Sequence, residues 1–200
     1  MGKEFEAKVL LTSEEYIDIL EKEILNEPSV KKSDIYYSKY YSTEAAIQFD
    51  ESLTRIRTEE DRAYLTLKKK KLIDGCENNE EYETRIEDAE VVKKLLLEAG
   101  YSPYFKKYKT SHMIAISPLN PILVTIPGVK VHVELEKVEN SMHVEKSTYK
   151  RVYALEIKAV ASAGLDVHVE ELAEVVKDYF NYFNKTEQDF EPRSWRELLG

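Results

Sequence analysis

The sequence predicts an α+β chain whose strands curl into a closed or nearly closed antiparallel sheet, with helices outside or at an end. Three observations predict it. About eight short stretches alternate polar and apolar residues, the period of a strand with two unlike faces. Only a few stretches carry helical spacing. Charged residues recur on one face of nearly every strand, so each strand has an apolar side and a charged side.

Each element follows in order. Glu4 to Leu10 alternates as the first strand. Thr12-Ser13-Glu14-Glu15 supplies a cap and acidic first turn for a helix from Tyr16 to Leu25, with Tyr16, Ile19, Leu20 and Ile24 on its apolar face. Tyr36 to Ser42 reads as a second strand. Leu53 to Thr58 and Ala63 to Lys70 flank Glu59-Glu60-Asp61-Arg62, which suits a hairpin. Leu72 to Asn79 reads as a loop around Gly75, and Glu81 to Glu87 as the next strand. Asp88 opens a helix with Val91, Val92, Leu95, Leu96 and Ala99 as its apolar side and Gly100 as its stop. Strands follow at Tyr104 to Ile116, Val129 to Val138 and Val152 to Val160, with prolines after the first and a polar connection, Asn140 to Lys150, before the last. Val169 to Phe183 and Ser194 to Leu199 read as helices.

The 200 residues carry 29 lysines and arginines against 38 aspartates and glutamates, a formal charge of −9. That length suits one domain, 1–200, and buries enough surface to fold without a staple. Cys76 is the only cysteine, so no intramolecular disulfide or cysteine cage forms. No apolar run approaches the roughly 18 residues of a membrane helix. The first residues lack a signal-peptide core, so a cytoplasmic protein without membrane partners is expected. The acidic balance argues against DNA or RNA as partners.

The chemistry lies in which residues share a face. Glu4, Glu6 and Lys8 share one, as do Arg55 and Arg57, Thr66 and Lys68, Glu81 and Glu83, Lys107 and Lys109, Glu134 and Glu136, and Glu156 and Lys158. Two readings are open. The charged faces coat a solvated exterior over an apolar core, the usual state of an antiparallel sheet. Alternatively they line a barrel, with the apolar faces outside under helices. Charges inside must then be paired, hydrated or bound to ligand. A mixed interior of that kind suits a polyphosphate, whose oxygens match lysine and arginine, together with magnesium or manganese on carboxylates.

These residues resemble the CYTH family, the triphosphate tunnel metalloenzymes, which includes class IV adenylyl cyclases, thiamine triphosphatases and inorganic triphosphatases. Glu4-Phe5-Glu6-Ala7-Lys8 is similar to the family's Glu-x-Glu-x-Lys strand. Leu53 to Arg57, Leu65 to Lys68, Glu81 to Glu83, Lys107 to Lys109, Leu135 to Glu139, Leu155 to Lys158 and Arg193 to Leu199 resemble later family segments in the family's order. There are departures: Lys158 stands where an acidic residue is usual, Lys109 where arginine is, and Trp195 where tyrosine is.

The resemblance implies an eight-stranded antiparallel tunnel that binds a triphosphate and a divalent metal. It implies that Glu4, Glu6, Glu136 and Glu156 hold Mg2+ or Mn2+. Lys8, Arg55, Arg57, Lys68, Lys107 and Lys109 would bind phosphates, and Glu81 or Glu83 would orient the attacking water or take its proton. The expected activity is metal-dependent hydrolysis of an inorganic, thiamine or nucleoside triphosphate. The alternatives are a nucleotidyl cyclase and a binding protein without turnover. A monomer or homodimer is expected. His132 shares the face of Glu134 and Glu136, and reads rather as a structural or rim residue than a ligand. Most of the 14 tyrosines, Tyr40 and Tyr41 among them, belong to sheet packing.

Overall fold

The alternation of charged and apolar residues produces a barrel with its charged faces inside. In the computed structural model, which describes residues 3–23, 28–39, 52–73, 76–116, 123–140, 149–162 and 164–200, eight strands close into one antiparallel ring. They are β1 (Lys3–Leu11), β2 (Val30–Ser38), β3 (Ser52–Glu59), β4 (Arg62–Ile73), β5 (Cys76–Ile86), β6 (Ser102–Met113), β7 (Val129–Glu139) and β8 (Arg151–Ala161). Around the ring the order is β1-β5-β4-β3-β2-β6-β7-β8, and β1 closes it by pairing with both β5 and β8. Closure leaves no edge strand to pair with another chain.

The hydrophobic core lies outside the barrel wall. Phe5, Val9, Leu135, Leu155 and Ile157 are all nearly inaccessible. They pack under α1 (Ser13–Glu23) and α3 (Val169–Tyr182), which contribute Tyr16, Leu172, Val175, Val176 and Phe180. The opposite faces of the same strands are buried and charged: Glu136 is 0% exposed, Lys107 2% and Glu156 4%. The solvated-exterior reading therefore does not hold for β1, β6, β7 and β8.

Several local expectations are met. β3 and β4 form the hairpin around Glu60-Asp61, with Glu59 opposite Arg62. The helix α2 (Ala89–Glu98) is capped by Asp88, whose carboxylate accepts from the Glu90 and Val91 amides at 2.9 and 3.0 Å. Gly100 ends it at φ +85°, where a side chain would be strained. The short helix α4 (Trp195–Leu199) sits at the carboxyl end, capped by Ser194.

Three expectations are corrected. The second strand runs Val30–Ser38, not Tyr36 to Ser42, and Tyr40, Tyr41 and Ser42 lie outside the described residues. The polar stretch Lys32 to Asp34 is strand because it pairs on both sides, with β3 and β6. The segment Leu72 to Asn79 is mostly not a loop: β4 continues to Ile73 and β5 begins at Cys76, with Gly75 outside the described residues. Pairing of Glu77 to Glu80 with β1 overrides their poor strand preference. Finally, α2 buries none of its residues, and Val91, Leu95 and Leu97 are exposed, so its apolar side covers no core among the described residues. Residues 141–148 of the expected connection Asn140 to Lys150, and Ile24 and Leu25 of the expected first helix, lie outside the described residues. No helix among the described residues is long and apolar enough to cross a membrane.

Candidate functional site

Inward side chains from every strand except β7 line a cavity of about 350 Å³ in the barrel. Nine cationic side chains line it against five carboxylates, in a chain whose formal charge is −9. The strand period puts them there, since residues two apart share the inner face. Closure then brings strands distant in sequence within ion-pair reach.

One wall is built on Asp34, which is 0% exposed. Its two oxygens accept from Arg57 Nε at 2.7 Å and Nη2 at 2.9 Å, a bidentate fork. Lys107 Nζ stands 3.6 Å from Oδ2, the oxygen that accepts from Nη2. Burial would raise the Asp34 carboxyl, but Arg57 foremost holds it well below the usual range. Lys107 goes the other way: burial, then the Lys109 ammonium, holds it well below the usual lysine range. An anion beside Lys107 would favour its charged form. Arg55 Nη2 donates to Thr66 at 3.0 Å, Glu81 at 3.1 Å and Glu83 at 3.3 Å, while its Nε is buried with no hydrogen-bond partner among the described residues.

The other wall alternates ammonium and carboxylate. Lys68 Nζ lies 2.8 Å from Glu6, 3.4 Å from Glu4 and 3.5 Å from Glu77. Lys158 Nζ bridges Glu156 at 3.0 Å and Glu6 at 3.4 Å. Lys109 pairs with Glu136 and stands 3.7 Å from Glu156. Burial would raise Glu6 too, but Lys68 and Lys158 hold it well below the usual range. Glu156 is held at about 2, Lys109 and Lys158 outweighing burial. Burial and the neighbouring Glu6 push Glu4 up to about 7, and burial with Glu156 does the same for Glu136.

At one mouth, α4 turns the ring of Trp195 toward three lysines. Lys109, Lys107 and Lys8 lie 5.1, 5.3 and 5.6 Å from its centroid, within cation–π range. The helix is tied down by Lys150 Nζ donating to the Gly200 carbonyl and by Asn140 Nδ2 donating to Leu199 O at 3.2 Å.

The structure gathers much of the set expected from sequence. Glu6, Lys8, Arg55, Arg57, Lys68, Lys107, Lys109 and Glu156 all line the cavity. Glu4, Glu81, Glu83 and Glu136 do not line it, although each pairs with a cation that does. Reading the sequence missed Asp34 and Glu77. Asp34 preceded the expected strand and Glu77 fell in an expected loop. A stricter alternation count from Lys32 through Tyr36 would have exposed the first.

The sequence profile of the CYTH domain matches residues 2–190. The chain belongs to the CYTH family. Enzymes of the CYTH tunnel type are generally triphosphatases or cyclases, act on triphosphates and depend on a divalent metal. The CYTH barrel is shared with the PH1819 protein of Pyrococcus horikoshii at 23% identity and a TM-score of 0.69, covering 98% of this chain and 97% of that one. It is shared with PH1012 of the same organism at 19% identity and a TM-score of 0.68, covering 98% and 99%. HpAC1 from Hippeastrum, whose dominant activity is as a triphosphatase, is similar at 12% identity and a TM-score of 0.55, covering 100% and 95%. No curated protein matches the sequence.

The metal that the CYTH family implies was tested against these residues. The carboxylates are hard oxygen donors of the right chemistry. Their arrangement does not make a cage: among the described residues no three acidic or histidine groups are placed to hold one ion. Where Glu4, Glu6 and Glu77 converge stands Lys68, and between Glu6 and Glu156 stands Lys158. Glu4, Glu6, Glu136 and Glu156 are instead each paired with a lysine.

Proposed function

We propose that this CYTH protein takes the triphosphate group of a small molecule into the barrel and hydrolyses it to release orthophosphate. The observation that supports this best is the convergence of Arg55, Arg57, Lys68, Lys107 and Lys109 on one cavity inside an acidic chain. Each of these cations is fixed by a carboxylate partner, so a phosphate oxygen entering the cavity meets positioned donors. Arg55, Arg57, Lys68, Lys107 and Lys109 grip phosphate oxygens, with Lys8 at the Trp195 mouth. A divalent metal would accompany the triphosphate as its counter-ion and would supply further positive charge.

In this reading water attacks the terminal phosphorus, the bond to the bridging oxygen breaks, and the departing phosphate oxygen takes up negative charge. The fixed cations stabilise that charge as it forms. Phosphoryl transfer asks mainly for positioning and charge stabilisation, and little of a base. Glu81 and Glu83, both on Arg55 and outside the cavity lining, serve as positioning residues for that guanidinium.

The test is incubation with ATP, GTP, CTP, UTP, thiamine triphosphate and inorganic triphosphate, each with Mg2+ or Mn2+, and product analysis by mass spectrometry. Orthophosphate supports hydrolysis. Pyrophosphate with a cyclic nucleotide replaces it with cyclisation, and saturable binding without product replaces it with a binding protein.

A further inference from the structure

We propose that the Lys158 ammonium is the resident cation at the junction of Glu6 and Glu156, so that the ligand-free protein holds no divalent metal there. Every oxygen of the two carboxylates already faces an ammonium. Glu6 Oε1 has Lys68 at 2.8 Å, and Glu6 Oε2 has Lys158 at 3.4 Å. Glu156 Oε1 has Lys158 at 3.0 Å, and Glu156 Oε2 has Lys109 at 3.7 Å. Among the described residues Lys158 alone pairs with both carboxylates.

The fold sets this up. Lys158 sits opposite Glu6 in the β1–β8 register, and two residues from Glu156 on the same face of β8. A four-carbon stem from that position ends between the two acids. Glu6 and Glu156 are 7% and 4% exposed, so water screens them little. A divalent ion there would need their oxygens as ligands and would lie against the Lys158 ammonium. Burial alone would lower the Lys158 ammonium, but Glu156 and Glu6 hold it well above the usual lysine range, so it keeps its charge. Lys158 also lines the cavity, so it meets a bound anion on its open side.

Neutralising Lys158 leaves two buried carboxylates with two of their four oxygens no longer facing an ammonium. That is the donor set a hard cation prefers. The test is Mn2+ titration of triphosphate-free protein, with bound ion read by the loss of the free Mn2+ electron paramagnetic resonance signal. Wild type should bind Mn2+ weakly. Lys158→Gln and Lys158→Met should bind one Mn2+ per chain at least about tenfold more tightly, since ligand charge sets affinity. Lys158→Arg, which keeps the charge, should behave as wild type. Circular dichroism checks that each variant is folded. Tight binding by wild type overturns the proposal even if the neutral variants fail to fold. Folded neutral variants with unchanged affinity overturn it as well. The titration contains no triphosphate, so failure of the hydrolase reading leaves its outcome intact.

Discussion

Replacing Asp34 with alanine should lower the melting temperature by about 6–20 °C, converting a cost of about 3–5 kcal/mol at about 2–4 °C per kcal/mol for a chain of this size. The magnitude comes from what the substitution leaves behind. The Arg57 and Lys107 side chains are only 13% and 3% exposed. Without Asp34, the fork at 2.7 and 2.9 Å and the ammonium at 3.6 Å lose their shared counter-charge. A buried ion pair adds little to stability, but removing one partner costs several kcal/mol because the other charge stays buried. Thermal unfolding by circular dichroism near neutral pH reads the effect. Inorganic triphosphate should restore more of the melting temperature in the variant than in wild type, because the anion supplies the missing charge. Asp34 is depressed below its ordinary value of 3.8, so its contribution is present above that pH and lost as pH falls through the lower folded value. The wild-type advantage over Asp34→Ala should therefore shrink in strong acid. A drop under about 2 °C near neutral pH, with no extra rescue by triphosphate, would refute the reasoning.

Other perturbations reach different parts of the barrel. Glu136, pushed up to about 7, favours the folded state while protonated, so that stability is lost as pH rises from about 4.5 through 7. Glu136→Gln should flatten this fall, worth on the order of 1–3 kcal/mol, in melts across that range. Trp195 is the only tryptophan, so its fluorescence should change saturably as triphosphate draws Lys8, Lys107 and Lys109 from its ring; an unchanged spectrum at saturating ligand would place the anion elsewhere. Glu81→Gln should lower kcat through a misplaced Arg55 by about tenfold, a loss of about 1.4 kcal/mol of transition-state stabilisation, and leave a pH–rate profile of the same shape. A lost limb in that profile would make Glu81 a base instead.

The barrel was legible because each strand declares its two faces. Arg55 and Arg57, or Lys107 and Lys109, cannot share a face without Ile56 or Tyr108 pointing away. What the alternation could not declare is which face is inside. That was decided by α1 and α3, whose apolar stripes cover the outer wall of β1, β7 and β8. The site was less legible where tertiary pairing beat local preference. Asp34 lies in a polar run that is strand only because β3 and β6 flank it. Glu77 and Asn79 lie in a stretch rich in asparagine, held extended by β1. The metal ligands were the least legible part. Carboxylate spacing along strands is visible in sequence, but the lysines that stand between carboxylates arrive from other strands. Lys158 was visible as a departure from the family pattern; its contact with Glu6 needed the β1–β8 register.

Isothermal titration of purified protein with inorganic triphosphate in Mg2+ buffer, at low and at raised salt, tests the central claim most directly. The cavity predicts saturable binding of one triphosphate per chain that weakens as salt rises, and loss of that binding in a Lys107→Ala, Lys109→Ala double variant that remains folded. No saturable heat from wild type, or equal binding by the folded double variant, would contradict a triphosphate site inside the barrel.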